Sequence, residues 1–358
     1  MNNPSVRGDS LPGRSGHRDQ HTARLSPTVL PVVLVGAGRR GVSAHIPALQ
    51  RHTSLELAAI VDTADRVNEL SLAAKLAVPM YENLDACLSA MRPSLAIVAT
   101  PHDSHVTLTS NLLQARVPTI LEKPPARNLS EFNELVNFTN NYGTPLATAL
   151  PFHFQNRYRG FIRSLKSPVL TDAQVLVRAD VPSRPGVGNW RLSRERAGGG
   201  VLIDLGYHYL ELIMACLGWP NLSSAHLTTS NSPRNDVEHE ARVSLRFEAR
   251  RISVSISLRS GFDLERRNEL SILKNGQSIY TSSAQTTSQM RDNTPSGCAP
   301  APASAAFSQL SSLVHEGFLT GRGGWQRALG VQMKVMRLLD ELYSNAHLSA
   351  DISEGILA

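Results

Sequence analysis

An alternation of short apolar runs with amphipathic segments between Val29 and Leu150 restricts the fold of this chain more than any other feature. Five segments have the length of a buried strand, namely VLPVVLVG, ELAAIVD, SLAIVAT, PTILEK and PLATAL. Apolar positions at helical spacing fill the intervals between them. Apolar runs of this kind are typical of parallel strands covered on both faces. The alternation therefore predicts βαβ units and a doubly wound parallel sheet over residues 28–150.

After residue 150 the pattern changes to close-set strands in which apolar and polar residues alternate. The segments ARVSLRFEA and RISVSISLRS show this period of two, and the Asn275–Gly276 pair is typical of a tight hairpin turn. A final segment over residues 325–346 has the apolar spacing of a helix. We therefore predict a second, antiparallel α+β domain over residues 151–346.

Three segments lack the composition of a folded core. Residues 1–27 are rich in Ser, Gly, Pro and Arg, and they are predicted to be a disordered tail. Residues 283–305 are low in complexity and are predicted to be a mobile surface loop. Residues 347–358 are predicted to be a second tail.

Composition and charge narrow the functions open to the chain, which has 358 residues and a net charge of +6. Cys87, Cys216 and Cys298 are far apart and form no C-x-x-C pair. This argues against a zinc site or a disulfide framework and favours a reducing, cytoplasmic location. We predict no nucleic-acid partner, because no basic block is long, and no membrane span, because no apolar run is long enough. A secretion signal in VLPVVLVGAG is disfavoured, because that run is short and ends in glycines and arginines.

The segment VLVGAGRRG places Gly36, Gly38 and Gly41 in G-x-G-x-x-G spacing directly after the first predicted strand. Glycines in this position allow a tight turn and bring a pyrophosphate close to backbone amides at a helix N-terminus. Asp62 ends the second strand, where a carboxylate can bind a ribose 2′-hydroxyl. The pair of features predicts a dinucleotide site, which also includes Ala37, Arg39 and Arg40.

Asp62 also bears on the choice of dinucleotide. Its carboxylate repels a 2′-phosphate, so NAD is the predicted cofactor. Arg39, Arg40 and Arg66 lie nearby in the sequence and can weaken that preference, which leaves NADP open.

Two further strand ends carry polar side chains beside the predicted cofactor crevice. In LEKPPA, Pro124 and Pro125 stiffen the chain behind Lys123, which holds that lysine where an α/β protein places working groups. In ATPHDSH, a metal site is disfavoured, because Asp103 or Ser104 can cap the following helix and no further ligands lie nearby. We predict no metal site. The strand-end residues predicted to contact the cofactor are Thr100, Pro101, His105, Glu122 and Lys123.

The segment AGGGVLIDLGYHYLEL places Asp204 and His208 four residues apart on a predicted helix. At that spacing both side chains lie on one helix face. A carboxylate beside an imidazole can orient the ring and raise its pKa, which would make His208 a proton carrier near neutral pH. A purely structural ion pair is the alternative. The three preceding glycines favour the functional interpretation, because they permit a close backbone approach at the helix N-terminus.

The order of the glycine fingerprint, EKP, NWR and AGGGVLIDLGYH resembles the glucose–fructose oxidoreductase, inositol dehydrogenase and rhizopine catabolism (Gfo/Idh/MocA) family. The resemblance covers about Val29 to Leu217 by motif and the remainder by the order of elements. It implies a Rossmann domain followed by a substrate-binding domain with an open, mostly antiparallel sheet. It also implies hydride exchange between a nicotinamide and a carbinol or carbonyl carbon of a sugar, nucleotide-sugar or cyclitol.

The resemblance also implies roles for individual residues. Lys123, Asp204 and His208 correspond to the catalytic and substrate-contacting residues of the family. Trp190 and Arg191 match its W-R near the cofactor. Asn156 and Arg157 resemble the N-R that begins the second domain, and Arg157 is expected to contact the substrate.

Two departures from the family pattern leave the substrate open. Glu211 stands where the family usually has Asp, and the stretch 283–305 interrupts the second domain. A non-catalytic dinucleotide-binding regulator and an imine reductase remain as alternative functions. Because members of the family often pack their free sheet faces together, a homodimer or homotetramer through the C-terminal sheet is expected.

Overall fold

The computed structural model describes residues 29–63, 76–183, 189–231, 236–286, 301–322 and 324–348. The tail predicted over residues 1–27 lies outside this part of the chain. The same holds for Arg66, Cys298 and most of the predicted tail over residues 347–358.

The first unit is built on a six-stranded parallel sheet with the strand order β3-β2-β1-β4-β5-β6. Its strands are β1 (Leu30–Val35), β2 (Leu55–Val61), β3 (Met80–Tyr81), β4 (Leu95–Val98), β5 (Thr119–Leu121) and β6 (Leu146–Thr148). The four residues of β4 are all buried, as expected for a strand covered on both faces. The predicted doubly wound sheet is confirmed. The strand order changes direction between β1 and β4, and the carboxyl ends of those strands form the crevice where such sheets bind ligands.

Helices cover both faces of this sheet. They are a π-helical turn Gly41–His45 that continues as α1 (Ile46–Gln50), then α2 (Leu84–Ala90), α3 (His105–Gln114) and α4 (Leu129–Tyr142). Asn128 begins α4 because its side chain accepts the amide proton of Glu131 at 2.9 Å. Gly143 ends the same helix with a φ of 62°.

The second unit contains a seven-stranded sheet with the strand order β12-β11-β7-β10-β9-β8-β13. Its strands are β7 (Ala173–Pro182), β8 (Ser224–Asn231), β9 (Glu238–Phe247), β10 (Ile252–Gly261), β11 (Arg266–Lys274), β12 (Gln277–Thr286) and β13 (His347–Leu348). The β7–β10 and β8–β13 pairs are parallel and the others are antiparallel, so the predicted mostly antiparallel sheet is confirmed.

Helices on one side of the second sheet connect it to the first unit. They are α5 (Arg159–Leu165), α6 (Arg194–Ala197), a π-helical turn Leu202–Gly206 that continues as α7 (Tyr207–Leu217), α8 (Ala301–His315) and α9 (Trp325–Ser344). Helix α9 packs on both α4 and α7, and α8 packs against the π-helical turn before α1. The stretch Arg194–Leu217 has the length and composition of a membrane span, but 83% of its apolar window is buried inside the protein, as in a core helix.

The predicted loop over residues 283–305 is wrong at both ends. Strand β12 continues to Thr286, because its polar residues pair with β11 along an exposed edge. Helix α8 begins at Ala301, because alanine has the highest helix propensity and Pro302 is tolerated in a first turn. His347 and Leu348, predicted to be tail residues, form β13 against β8. Residues 287–300 lie outside the described part of the chain.

Candidate active site

At two of the three glycines in the turn after β1, close packing leaves no room for a side chain. A Cβ added at Gly36, which has a φ of 94°, would lie 2.7 Å from the carbonyl oxygen of Ala99. A Cβ added at Gly41 would lie 2.4 Å from the carbonyl oxygen of Gly36. A Cβ added at Gly38 would meet nothing within 4 Å, so packing does not require that glycine. The open space beside Gly38 leaves room for a pyrophosphate, and the residues present therefore fit a dinucleotide.

Asp62 lies beside this turn at the carboxyl end of β2. Its Oδ2 accepts the backbone N–H of Ala37 at 2.6 Å, and its Oδ1 accepts the N–H of Thr63 at 2.8 Å. The side chain is thus held in place before any ligand binds. Asp62 is thereby fixed against the glycine turn.

Glu122 connects the glycine turn to the loop that carries Lys123. Its Oε1 lies 2.7 Å from Arg40 Nε and 2.8 Å from His45 Nε2, and the side chain is buried. Burial would raise the pKa of the Glu122 carboxyl, but Arg40 and His45 outweigh it and hold that pKa well below its ordinary value. Glu122 is therefore a buried anion whose partners come from the segment that starts the first helix.

Lys123 forms an ion pair with Asp204 across the two units. Its Nζ lies 2.8 Å from Asp204 Oδ1, and it also donates to the Asp204 carbonyl oxygen. Arg191 Nε lies 3.6 Å from Asp204 Oδ2, and its guanidinium lies over the Trp190 ring at 4.2 Å. Burial raises the pKa of the Asp204 carboxyl, but Lys123 and Arg191 lower it further than burial raises it. The Asp204 carboxylate is therefore ionised and is shared by two cations.

The side chains of Asp204 and His208 do not make the expected contact with each other. Among the described residues no hydrogen bond joins the two side chains, and the His208 ring instead stacks on Phe152 with 4.2 Å between centroids. Burial lowers the pKa of His208 well below its ordinary value, and the positive charges of Lys123 and Arg40 lower it further. The predicted rise in the pKa of His208 is wrong. The imidazole is neutral near pH 7, so it is in the form that can accept a proton.

The position of the segment that carries Asp204 and His208 is set by close packing before it. A Cβ added at Gly200 would lie 1.9 Å from the carbonyl oxygen of Glu238. The buried Glu238 carboxylate accepts the Leu202 N–H at 3.1 Å and the Tyr343 hydroxyl at 2.7 Å. The backbone of Gly200 thus packs directly against the backbone of Glu238, which fixes the start of this helical segment.

The two histidines that follow β4 support the loops of the site. His105 is completely buried, and its Nδ1 and Nε2 lie 2.9 Å and 3.1 Å from the carbonyl oxygens of Pro124 and Thr100. Both ring nitrogens thus face backbone carbonyl oxygens inside the protein, so His105 exposes no polar atom to a cofactor. His102 Nδ1 lies 2.9 Å from the Ala197 carbonyl oxygen, and its ring meets the Trp190 ring edge-on at 4.4 Å.

Thr100 and Pro101 remain half-buried at the crevice. Arg157 is exposed, and its guanidinium lies 5.8 Å from the centroid of Phe152, on which the His208 ring stacks. Sequence reasoning missed Phe152, because an aromatic residue in PFHF is equally typical of a core position. Within the described residues no group of three or more His, Cys, Asp or Glu side chains is arranged to hold a metal ion.

Two family models match the chain, one over each structural unit. A model described as an oxidoreductase family with an NAD-binding Rossmann fold (GFO_IDH_MocA) matches residues 30–149. A model described as the GFO/IDH/MocA C-terminal domain matches residues 171–273.

Two curated relatives have sugar-related names. A protein of Amycolatopsis mediterranei (strain S699), provisionally named a UDP-kanosamine synthase oxidoreductase subunit, is 29% identical over 262 residues, which is 67% of this chain and 70% of that protein. The D-glucoside 3-dehydrogenase of Escherichia coli (strain K12) is 29% identical over 218 residues, 56% of this chain and 58% of the enzyme.

Solved structures share the whole two-unit architecture. GenD2 from gentamicin A biosynthesis, crystallised with NAD, superposes with a TM-score of 0.74 at 21% identity and covers 94% of this chain and 97% of its own. KijD10, a 3-ketoreductase from Actinomadura kijaniata crystallised with NADP and TDP-benzene, superposes with a TM-score of 0.68 at 15% identity, over 90% of this chain and 99% of its own. At these identities the likeness concerns the fold.

Proposed function

This chain belongs to the GFO/IDH/MocA family of oxidoreductases, and we propose that it exchanges hydride between NAD(P) and a carbinol or carbonyl carbon of a sugar, nucleotide-sugar or cyclitol. One observation carries the proposal. Lys123 and Asp204 form an ion pair, and His208, four residues beyond Asp204 in the same helical segment, is buried and neutral. The named relatives act on, or are named for, sugar substrates, which supports this substrate class.

NAD is the proposed cofactor, with NADP as the alternative. Gly36, Gly38 and Gly41 would hold its pyrophosphate, and Asp62 would bind the adenosine ribose and disfavour a 2′-phosphate. The nicotinamide would supply or accept the hydride. Trp190, Arg191, Thr100 and Pro101 would contact the same cofactor around Lys123.

His208 is the proposed proton carrier. In the oxidative direction its neutral ring would accept the proton of the substrate hydroxyl, and in the reductive direction the protonated ring would return it. Its burial against Phe152 lowers its basicity but keeps it in the accepting form.

Lys123 is the proposed electrostatic group. Its ammonium would stabilise negative charge on the substrate oxygen as the proton leaves. Asp204 would act on the substrate through Lys123, because the two Asp204 oxygen atoms that Lys123 contacts fix the direction of the ammonium. We therefore propose that Asp204 serves the lysine rather than the histidine.

Turnover with a substrate panel tests the proposed function. Hydride transfer should be measured with cyclitols, aldoses and nucleotide-sugars in both directions, with NAD(H) and NADP(H). At least one class should turn over, and Lys123→Met should abolish most of that rate. Tight NADH binding without turnover of any compound would instead favour a regulator, and turnover restricted to imines would favour an imine reductase.

The outer face of the second sheet is the proposed assembly surface. Leu176 lies near its centre, 37% exposed, between Ser255 and Ser271 of the neighbouring strands. Asp180 on the same face already accepts hydrogen bonds from Arg259 at 2.8 Å and 2.9 Å. Its charge would therefore stay paired if a second sheet covered it. The serines beside Leu176 and the pairing of Asp180 favour face-to-face packing of two sheets, in which the exposed Arg178 would need a partner on the second sheet. A homodimer or homotetramer is therefore expected.

A cytoplasmic location is the remaining part of the proposal. Cys87 and Cys216 are free, buried thiols, which suits a reducing compartment. Nucleic-acid and membrane partners are not proposed.

A further inference from the structure

A second cleft lies away from the Lys123 crevice, between the end of α1 and helix α8. Arg51 and His52 form one wall just before β2, which is the opposite end of the sheet from the glycine turn. Phe307 and His315 of α8 form the other wall. The cleft has a volume of about 310 Å³, within the range of small-ligand sites.

The charge of this cleft is one-sided. Arg51 supplies a positive charge to its lining, His52 and His315 add imidazole rings, and no carboxylate lines it. Among the described residues Arg51 makes no ion pair, whereas other surface arginines do, such as Arg251 with Asp172. An anion is therefore the ligand that these walls would attract.

The hydrogen-bond donors of the cleft are set by the local backbone. The N–H of Ser54 points to His52 Nδ1 at 3.3 Å, so the neutral His52 ring carries its proton on Nε2. The Ser311 hydroxyl adds a further polar atom to the lining, whereas the Ser54 hydroxyl already lies 3.3 Å from His52 Nδ1. Together with the Arg51 guanidinium, these donors suit a phosphate or carboxylate group.

Phe307 gives the cleft an apolar wall beside its charges. The Arg51 guanidinium lies 5.1 Å from the Phe307 ring centroid, and the His52 ring lies 5.7 Å from it at an angle of 56°. The volume exceeds what a bare phosphate fills. The apolar wall formed by Phe307 favours a ligand with an apolar body next to its anionic group.

We propose that this cleft is a second ligand site, which binds a small phosphate or carboxylate attached to an apolar body about the size of one ring. The site is separate from the cofactor and substrate crevice. It does not depend on the proposed catalytic function.

Calorimetric titration of the NADH-saturated protein tests the proposal, because NADH occupies the pyrophosphate site at the glycine turn. Phenylphosphonate is the probe, and methylphosphonate is its matched partner without the ring. Phenylphosphonate should saturate one site, and Arg51→Gln or His315→Gln should weaken it about tenfold or more. Arg163→Gln, a change of the same charge on the exposed face of α5, should leave the affinity unchanged.

The apolar wall is tested by Phe307→Leu, which should reduce the preference for phenylphosphonate over methylphosphonate to near unity. The proposal is overturned if phenylphosphonate shows no saturation up to about 10 mM. It is also overturned if Arg51→Gln and His315→Gln both bind it as tightly as Arg163→Gln does.

Discussion

Lys123 Nζ lies 2.8 Å from Asp204 Oδ1, and this ion pair joins a strand end of the parallel sheet to the helical segment that carries His208. The pair holds the ammonium of Lys123 in the crevice while His208, four residues beyond Asp204, stays neutral. The charged ammonium and the neutral imidazole are thus carried by different side chains with different supports.

Glu122→Gln should destabilise the fold, because Arg40 and His45 would lose their buried counter-charge. The expected loss at pH 7 is about 3–5 kcal/mol in the free energy of unfolding. Asp172→Asn, at the exposed Arg251 pair, is the matched control and should cost far less. Urea unfolding of both variants measures the difference.

The destabilisation by Glu122→Gln should depend on pH with a definite sign. The pKa of Glu122 is depressed in the folded state, so its contribution is present above the ordinary value of 4.5 and is lost as the pH falls toward the folded value. The difference in the free energy of unfolding between wild type and Glu122→Gln should therefore become smaller in acid. A gap that widens in acid would contradict the buried ion pair.

The pH profile of substrate oxidation should report the neutral form of His208. Because the pKa of His208 is lowered, kcat/KM should stay level as the pH falls to 6.5, the ordinary histidine value, and decline only below it. The profile is measured in wild type and in His208→Gln. An acid limb at or above 6.5 that disappears in His208→Gln would contradict the environment described for this ring.

Asp62→Ser should improve NADPH binding relative to NADH, because it removes a negative charge facing the 2′-phosphate. Fluorescence titration of both cofactors against both proteins gives the ratio of dissociation constants. A wild type that already prefers NADPH would show that Asp62 does not set the choice.

Leu176→Arg should weaken assembly, because it places a charge at the centre of the outer sheet face. Light scattering should show a smaller particle for this variant than for wild type. Val169→Arg is the matched control, since Val169 is 70% exposed and lies outside the strands of that sheet. A monomeric wild type at micromolar concentration would remove the proposed assembly.

Much of the fold could be predicted from local patterns. The strands around Val33 and Ile97 form continuous apolar runs because both faces of the sheet are covered, and those runs are visible in the sequence. The ends of the low-complexity stretch could not be predicted. The polar edge strand β12 has the composition of a loop, and only its pairing with β11 decides its structure. The alanines at the start of α8 favour a helix, but the prolines and serines among them give the segment a low-complexity composition.

Within the candidate site, sequence spacing misassigned one contact. The separation of Asp204 and His208 predicted a shared helix face, whereas Lys123 and Arg191 approach Asp204 from other parts of the chain and take up its carboxylate. A spacing rule within one helix cannot include partners that arrive through tertiary structure. For the same reason, the bonds of Arg40 and His45 to Glu122 could not be predicted from sequence spacing.

The most direct test of the account is kcat in Lys123→Met, His208→Ala and the double variant, with a substrate found in the panel. If both residues act on one substrate oxygen, each single change should lower kcat by about 10²–10⁴-fold, and the double variant should fall little further. NADH affinity should hold better in His208→Ala than in Lys123→Met. A near wild-type kcat in folded His208→Ala would contradict the proton-transfer role, and fully multiplicative losses would contradict action on a single oxygen.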